Sequence, residues 1–144
     1  MMAWRSAAIF VLALMLCVGC DSPAVVEMAR VDCDEWSESC SVVVDNDDTL
    51  SLRRISIAVR YNRNFEGKTL PLHIAVAAPD ACHTEESVTL AFEPPYSATS
   101  VATSINIPYR HSACLSQRGR YIFTITPQQP LSGFEAVGVS IESE

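Results

Sequence analysis

The tightest constraint on this chain is a period of two in its apolar residues. Ile55, Ile57, Val59 and Tyr61 alternate with Arg54, Ser56, Ala58 and Arg60. Successive side chains of an extended chain point to opposite faces, whereas a helix needs apolar residues every three or four positions. The pattern returns over 70–77, with Leu70, Leu72, Ile74 and Val76 on one side, and over 136–141 with Val137, Val139 and Ile141. Shorter runs at 42–44, 87–92, 103–109 and 120–126 fill the interval. Turn chemistry separates them: Gly67 within 62–68, Pro79-Asp80, Pro94-Pro95, and Pro127 with Pro130. About seven short strands bounded in this way predict an all-β fold, an antiparallel β-sandwich over residues 42–144. Spacing leaves jelly-roll and immunoglobulin-like topologies both open.

A sandwich must have enough apolar surface to close around. The chain has 144 residues, 49% hydrophobic and 19% charged, which suits one domain with a buried core. Ten Lys and Arg stand against seventeen Asp and Glu, a net charge of −7. That balance lacks the basic face that phosphate neutralisation requires, and it argues against a nucleic-acid partner.

The N-terminus reads as an address. Arg5 precedes an apolar run over 7–18, twelve residues long, where a hydrocarbon core takes about 20. The run closes on Leu16-Cys17-Val18-Gly19-Cys20, which resembles the lipobox of bacterial lipoproteins. That resemblance implies a diacylglyceryl thioether on Cys20, cleavage before it, and acylation of the new N-terminus by a chain such as palmitate. Two or more acyl chains hold a protein stably on a bilayer. The expectation is therefore a signal peptide over 1–19, a lipidated tether with a cysteine-containing segment over 20–41, and a domain that is anchored without spanning. Loss of 1–19 removes one Arg and leaves 9 bases against 17 acids, a net of −8. Anionic headgroups repel such a surface, so the lipid supplies the attachment. After Cys20 there is one nearby acid, Asp21, followed by Ser22-Pro23; without a longer acidic run the domain is expected on the periplasmic side of a bacterial membrane, inner or outer.

Four cysteines follow the lipobox: Cys33, Cys40, Cys82 and Cys114. In an oxidising compartment an even count predicts two disulfides. Of the three pairings, proximity favours Cys33 with Cys40 and Cys82 with Cys114. The second would close a long loop, contributing ~2–4 kcal/mol if unstrained. The spacing is neither the C-x-x-C of a redox pair nor that of a structural zinc motif.

Two paired stretches carry a family resemblance. Residues 55–74 follow I-x-I-x-x-R-x-N … L-x-L-x-I, and 119–141 follow G-x-Y-x-F … L-x-G-x-x-x-V-G-x-x-I. With the lipobox, the length and the order of parts, they resemble the gliding-motility lipoprotein GldH family of Bacteroidota, over about Val42 to Glu142. The resemblance implies a lipid-anchored cell-envelope component associated with gliding machinery, with no assigned catalytic activity.

The residues themselves carry little chemistry. His73, His83 and His111 are scattered, and neither G-x-S-x-G, H-E-x-x-H nor a glycine-rich phosphate loop occurs. Asp45-Asn46-Asp47-Asp48 begins like a calcium loop, but Leu50 at position six and Ser56 at position twelve exclude an EF-hand, leaving a solvated acidic turn. Arg54 and Arg60 share one strand face with Ser56, Ala58 and Asn62. This face is the candidate contact for an acidic partner or an anionic glycan. Trp36, Tyr96 and Tyr109 are the aromatics considered for stacking sugars. The sequence thus predicts a non-enzymatic envelope scaffold without metal or cofactor, contacting other envelope proteins. The alternative is a glycan-binding surface lipoprotein.

Overall fold

The computed structural model describes residues 24–92 and 102–144; the signal region, Cys20 and Tyr96 lie outside the described residues. Eight strands follow in order: β1 Val25–Arg30, β2 Cys40–Asn46, β3 Leu52–Asn62, β4 Thr69–Ala77, β5 His83–Ala91, β6 Ala102–Cys114, β7 Gly119–Pro127 and β8 Phe134–Ser143. β1 pairs with β8, β2 with β7, β3 with β6 and β4 with β5, all antiparallel. The chain is thus one long ribbon, doubled back between β4 and β5 and then rolled up. Lateral pairing of β3 with β8 and of β4 with β7 joins the ribbon into two sheets, β1-β8-β3-β6 and β2-β7-β4-β5. The expected all-β sandwich is present, and the two topologies left open by spacing resolve to the jelly roll.

The core lies between the sheets and is built from the residues that the period of two picks out. Ile57, Val59, Val137 and Val139 from one sheet meet Leu70, Leu72, Ile74, Phe123 and Ile125 from the other, none more than 1% exposed. Burying each such side chain contributes ~1.5–3 kcal/mol. An aromatic cluster fills one end of the sandwich. Phe134 packs against Phe65 and Trp36 with ring centroids 4.5 and 5.7 Å apart, and Phe92 joins Phe65 to Tyr61 at 4.8 Å each. Pro108, which has no N–H to give a ladder, sits in β6 on the edge of its sheet.

The segment expected as a tether over 20–41 is largely part of the fold. Val25–Arg30 forms β1, in register from Val25↔Ile141 to Arg30↔Ala136. Five of its six residues are exposed, so it has no apolar alternation to betray it, and backbone pairing holds it at the sheet edge. Further along, Trp36 exchanges two backbone hydrogen bonds with Leu131, at 2.7 and 3.0 Å, and its indole N–H donates to the Glu38 carbonyl. The sandwich begins at Val25 instead of residue 42, and it has eight strands instead of seven.

Two glycines mark backbone approaches that no other residue permits. Gly133 has φ +92°, and a Cβ there would lie 2.4 Å from the Phe65 nitrogen. A Cβ on Gly138 would lie 1.9 Å from the Glu27 carbonyl oxygen and 2.6 Å from the Met28 Cα, both backbone atoms of β1. Gly138→Ala should therefore displace β1 while the other seven strands stay paired, at a cost of about 1–3 kcal/mol. Hydrogen exchange at residues 25–30 should accelerate selectively in this variant. Unchanged protection there would show that β1 does not depend on the approach.

Candidate functional site

The outer face of the first sheet carries the arginines that the sequence singles out. Its rows follow from register: Arg30, Ala136, Arg60 and Ser104 lie side by side on β1, β8, β3 and β6. Between Arg54 and Arg60 the floor is made of Ser56, Ala58, Gly138 and Ser140, small residues recessed among larger neighbours. Arg60 Nε donates to Glu135 Oε2 at 3.1 Å, and Arg54 Nη1 lies 3.5 Å from Glu142 Oε1. Strict alternation would turn Glu135 inward with Val137 and Val139. The register between β3 and β8 slips there, from Arg60↔Ala136 to Tyr61↔Phe134, and this bulge re-aims Glu135 towards Arg60. Both expected cations are thus neutralised by acids of the neighbouring strand. Exposed pairs of this kind add ~0–1 kcal/mol of stability, and their arrangement bears more on which partner fits and in which orientation.

Beside Arg60 a cleft of about 630 Å³ opens at the end of the sheet, lined by Arg30, Val31, Cys33, Arg60, Glu135 and Ala136. Among the described residues Arg30 has no ion pair, so the cleft holds two guanidinium groups against one carboxylate. Its residues suit it to holding a carboxylate or another small anionic group. Cys33 is the one thiol among the lining residues, and no histidine is among them.

The four cysteines are free thiols, so the expected bridges, Cys33 with Cys40 and Cys82 with Cys114, are not formed. Cys40 opens β2 on its inward face, where burial pushes its pKa up to about 11 and its thiol faces the Val137 carbonyl at 4.0 Å. Proximity in sequence does not register that strand alternation turns Cys40 into the core while Cys33 stays outside. Cys82 and Cys114 flank different sheets. The Cys114 thiol donates to the Thr49 carbonyl at 3.4 Å, and Asp80 holds the Cys82 thiol above its usual pKa.

The remaining expected residues are dispersed. His73 lies on the outer face of the second sheet between Ser87 Oγ and Glu85 Oε2, each 3.2 Å from a ring nitrogen. This outline of Ser, His and Glu lies on an open sheet face, with His73 on β4 paired with Ser87 on the edge strand β5 and with Thr126 on β7. The acidic turn is spent on structure. Asp45 pairs with Arg120 at 3.5 Å, and Asp48 accepts from the Leu50 and Ser51 amides and pairs with Arg53 at 3.2 Å. The buried Asn46 donates to the Leu115 and Gln117 carbonyls. Among the described residues no group of three His, Cys, Asp or Glu is placed to hold a metal. Trp36, considered for stacking sugars, is 2% exposed and serves the core.

One charged cluster has no local signal in the sequence. Glu86 on β5 accepts hydrogen bonds from the Tyr109 hydroxyl and from Arg110, both on β6, so it clasps the open edges of the two sheets. The Tyr109 hydrogen bond and then Arg110 hold the Glu86 carboxyl below its usual range. Burial and Glu86 push Tyr109 up to about 12. The depressed carboxyl stabilises the fold above the ordinary carboxylate range, and this is lost as pH falls through the folded pKa. The raised phenol stabilises it below about pH 10, and this is lost as pH climbs towards 12. Tyr109→Phe should cost about 1 kcal/mol near neutrality. It should also flatten the alkaline limb of the melting-temperature profile, leaving the part that Tyr61 contributes. Superimposable alkaline limbs for the two proteins would refute the clasp. Compared with known protein families and with characterised proteins, this chain matches none of them.

Proposed function

We propose that this protein is a non-enzymatic, lipid-anchored scaffold of the bacterial cell envelope, with its domain on the periplasmic side. The observation that carries the reading is Leu16-Cys17-Val18-Gly19-Cys20, ending five residues before the first strand of an eight-stranded jelly roll. Its resemblance to the gliding-motility lipoproteins supports an accessory role beside a larger envelope machine. The contact surface is the face carrying Arg54 and Arg60. Its cations are cross-strand paired, so it meets a partner by matching a pattern of charges.

Reversing the pattern without breaking the pairs tests that surface. Arg60→Glu alone would set a like charge against Glu135 and weaken the sheet. The exchange Arg60→Glu with Glu135→Arg keeps an opposed pair, so it should leave the melting temperature within a degree or two. In-cell crosslinking with a tag after Glu144 should recover a defined envelope partner with the parent protein and lose it with the exchange. A Cys20→Ala control should lose it as well. Unchanged recovery by the exchange would remove Arg60 from the contact. Recovery of glycan-uptake components by the parent would favour the glycan-binding alternative, to which the anionic-group preference of the Arg30–Arg60 cleft also speaks.

A further inference from the structure

We propose that the end of the jelly roll formed by loop 47–51 lies against the bilayer, with the Leu50 side chain in the boundary between headgroups and acyl chains. This rests on the lipid-anchor reading and adds an orientation to it. An extended chain covers at most about 3.6 Å per residue, so five residues hold the Val25 Cα within about 18 Å of the Cys20 Cα.

Strand polarity then decides which end is held. Val25 lies opposite Ile141 on β8, and Ile141 lies opposite Ile55 on β3. Beyond that row the same end continues through Arg53↔Ser143 and Leu52↔Cys114 to loop 47–51, which joins β2 to β3. The aromatic end with Trp36 and Gly133 is the far one. β3 alone has eleven residues, which at about 3.3 Å each separate the two ends by about 36 Å.

Four of the seven large apolar side chains exposed among the described residues lie at the held end, the others being Met28, Val43 and Ile122. Leu50 is 89% exposed and Leu52 50%, and Val25 and Val26 are exposed at the start of β1. Single exposed apolar residues are ordinary on a protein surface. Here, however, the most exposed leucine stands on a loop tip at the end that a five-residue linker keeps near lipid. Two acids at this end are offset by arginines, which limits repulsion by anionic headgroups, while Asp80 and Glu144 are hydrogen-bonded and keep their charge. Asp48 is paired with Arg53, Glu142 with Arg54, and Asp80 with Gln117. Glu144 accepts from Ser112 and faces His111 at 3.6 Å. Among the described residues Asp47 alone at the loop lacks a partner.

The test uses the full lipidated protein reconstituted into phosphatidylethanolamine/phosphatidylglycerol vesicles whose acyl chains carry bromine, a short-range quencher of tryptophan. Leu50→Trp places a reporter at a solvent-exposed position, and Asn64→Trp places one at the far end. The parent protein carries Trp36 in the far end's core as a reference. The Leu50→Trp reporter should lose about half its emission, as for a side chain seated about 5–10 Å into the boundary. Asn64→Trp and the parent should match their emission in unbrominated vesicles. If protein that floats with the vesicles shows no quenching at position 50, or equal quenching at position 64, the orientation is overturned. If the protein does not float and its Cys20 carries no acyl mass, the anchor reading itself fails and the orientation falls with it.

Discussion

The antiparallel pairing of β3 with β8 sets the two faces of the first sheet at once, because side chains alternate on both strands in step. In register from Arg53↔Ser143 to Arg60↔Ala136, it sends Ile57, Val59, Val137 and Val139 inward together. The same register sends Ser56, Ala58, Gly138 and Ser140 outward. A slip of one residue would reverse both sets and leave the second sheet without a counterpart to pack on. The slip that does occur is confined to Glu135, at the end of the pairing, where it changes one side chain's direction and leaves the core row intact. β1 depends on this pairing too, since it approaches over a position where β8 has no side chain.

Charge in this protein is spent mainly on holding strands to one another. Arg54 and Arg60 reach acids of β8, Arg120 reaches Asp45 across β2 and β7, and Arg110 reaches Glu86 across the gap between the sheets. The jelly roll has four edge strands, β1, β6, β2 and β5. Edges with unpaired N–H and C=O groups invite other chains unless charge or covering elements blunt them. The clasp of Glu86 with Tyr109 and Arg110 acts on one side of the sandwich in that way, and it ties β5 to β6 where no ladder joins them. On the other side, β1 runs next to β2.

Strands that bury one face could be read from the sequence, because burial writes a period of two into the residues. β3, β4 and β8 announce themselves in this way. β1 does not: Val25, Val26 and Met28 are exposed, and what holds the strand is backbone pairing, which leaves no mark on residue type. Alternation alone puts Arg54 and Arg60 on one face, but it does not show their partners, since Glu142 and Glu135 lie about 80 residues away in sequence and the second depends on a bulge. The cysteines show the same limit. Their number and spacing argue for bridges, while the strand phase that turns Cys40 inward is set by pairing with β7. Long-range pairing, more than local preference, decided each of these differences.

The topology also separates two surfaces that a small anchored protein would otherwise have to share. β1 runs from the row of Ile141 and Ile55 to the row of Ala136 and Arg60, so a chain entering at Val25 reaches the opposite part of the sheet by Arg30. The Arg30–Arg60 cleft and the Trp36 segment therefore belong to the end opposite the entry point, whatever the tilt of the domain. With an anchor at Cys20, that end is carried clear of the bilayer by the length of β3. On the proposed anchoring, a partner would meet the Arg60–Glu135 pair and the cleft beside it without competing with headgroups, which screen and repel within about 8–10 Å of the membrane at physiological salt, whereas the Arg54–Glu142 pair lies towards the held end. A short linker serves this division better than a long one. On the proposed anchor it would restrict the domain to orientations in which the entry end faces lipid, and so raise the share of time the cleft points away.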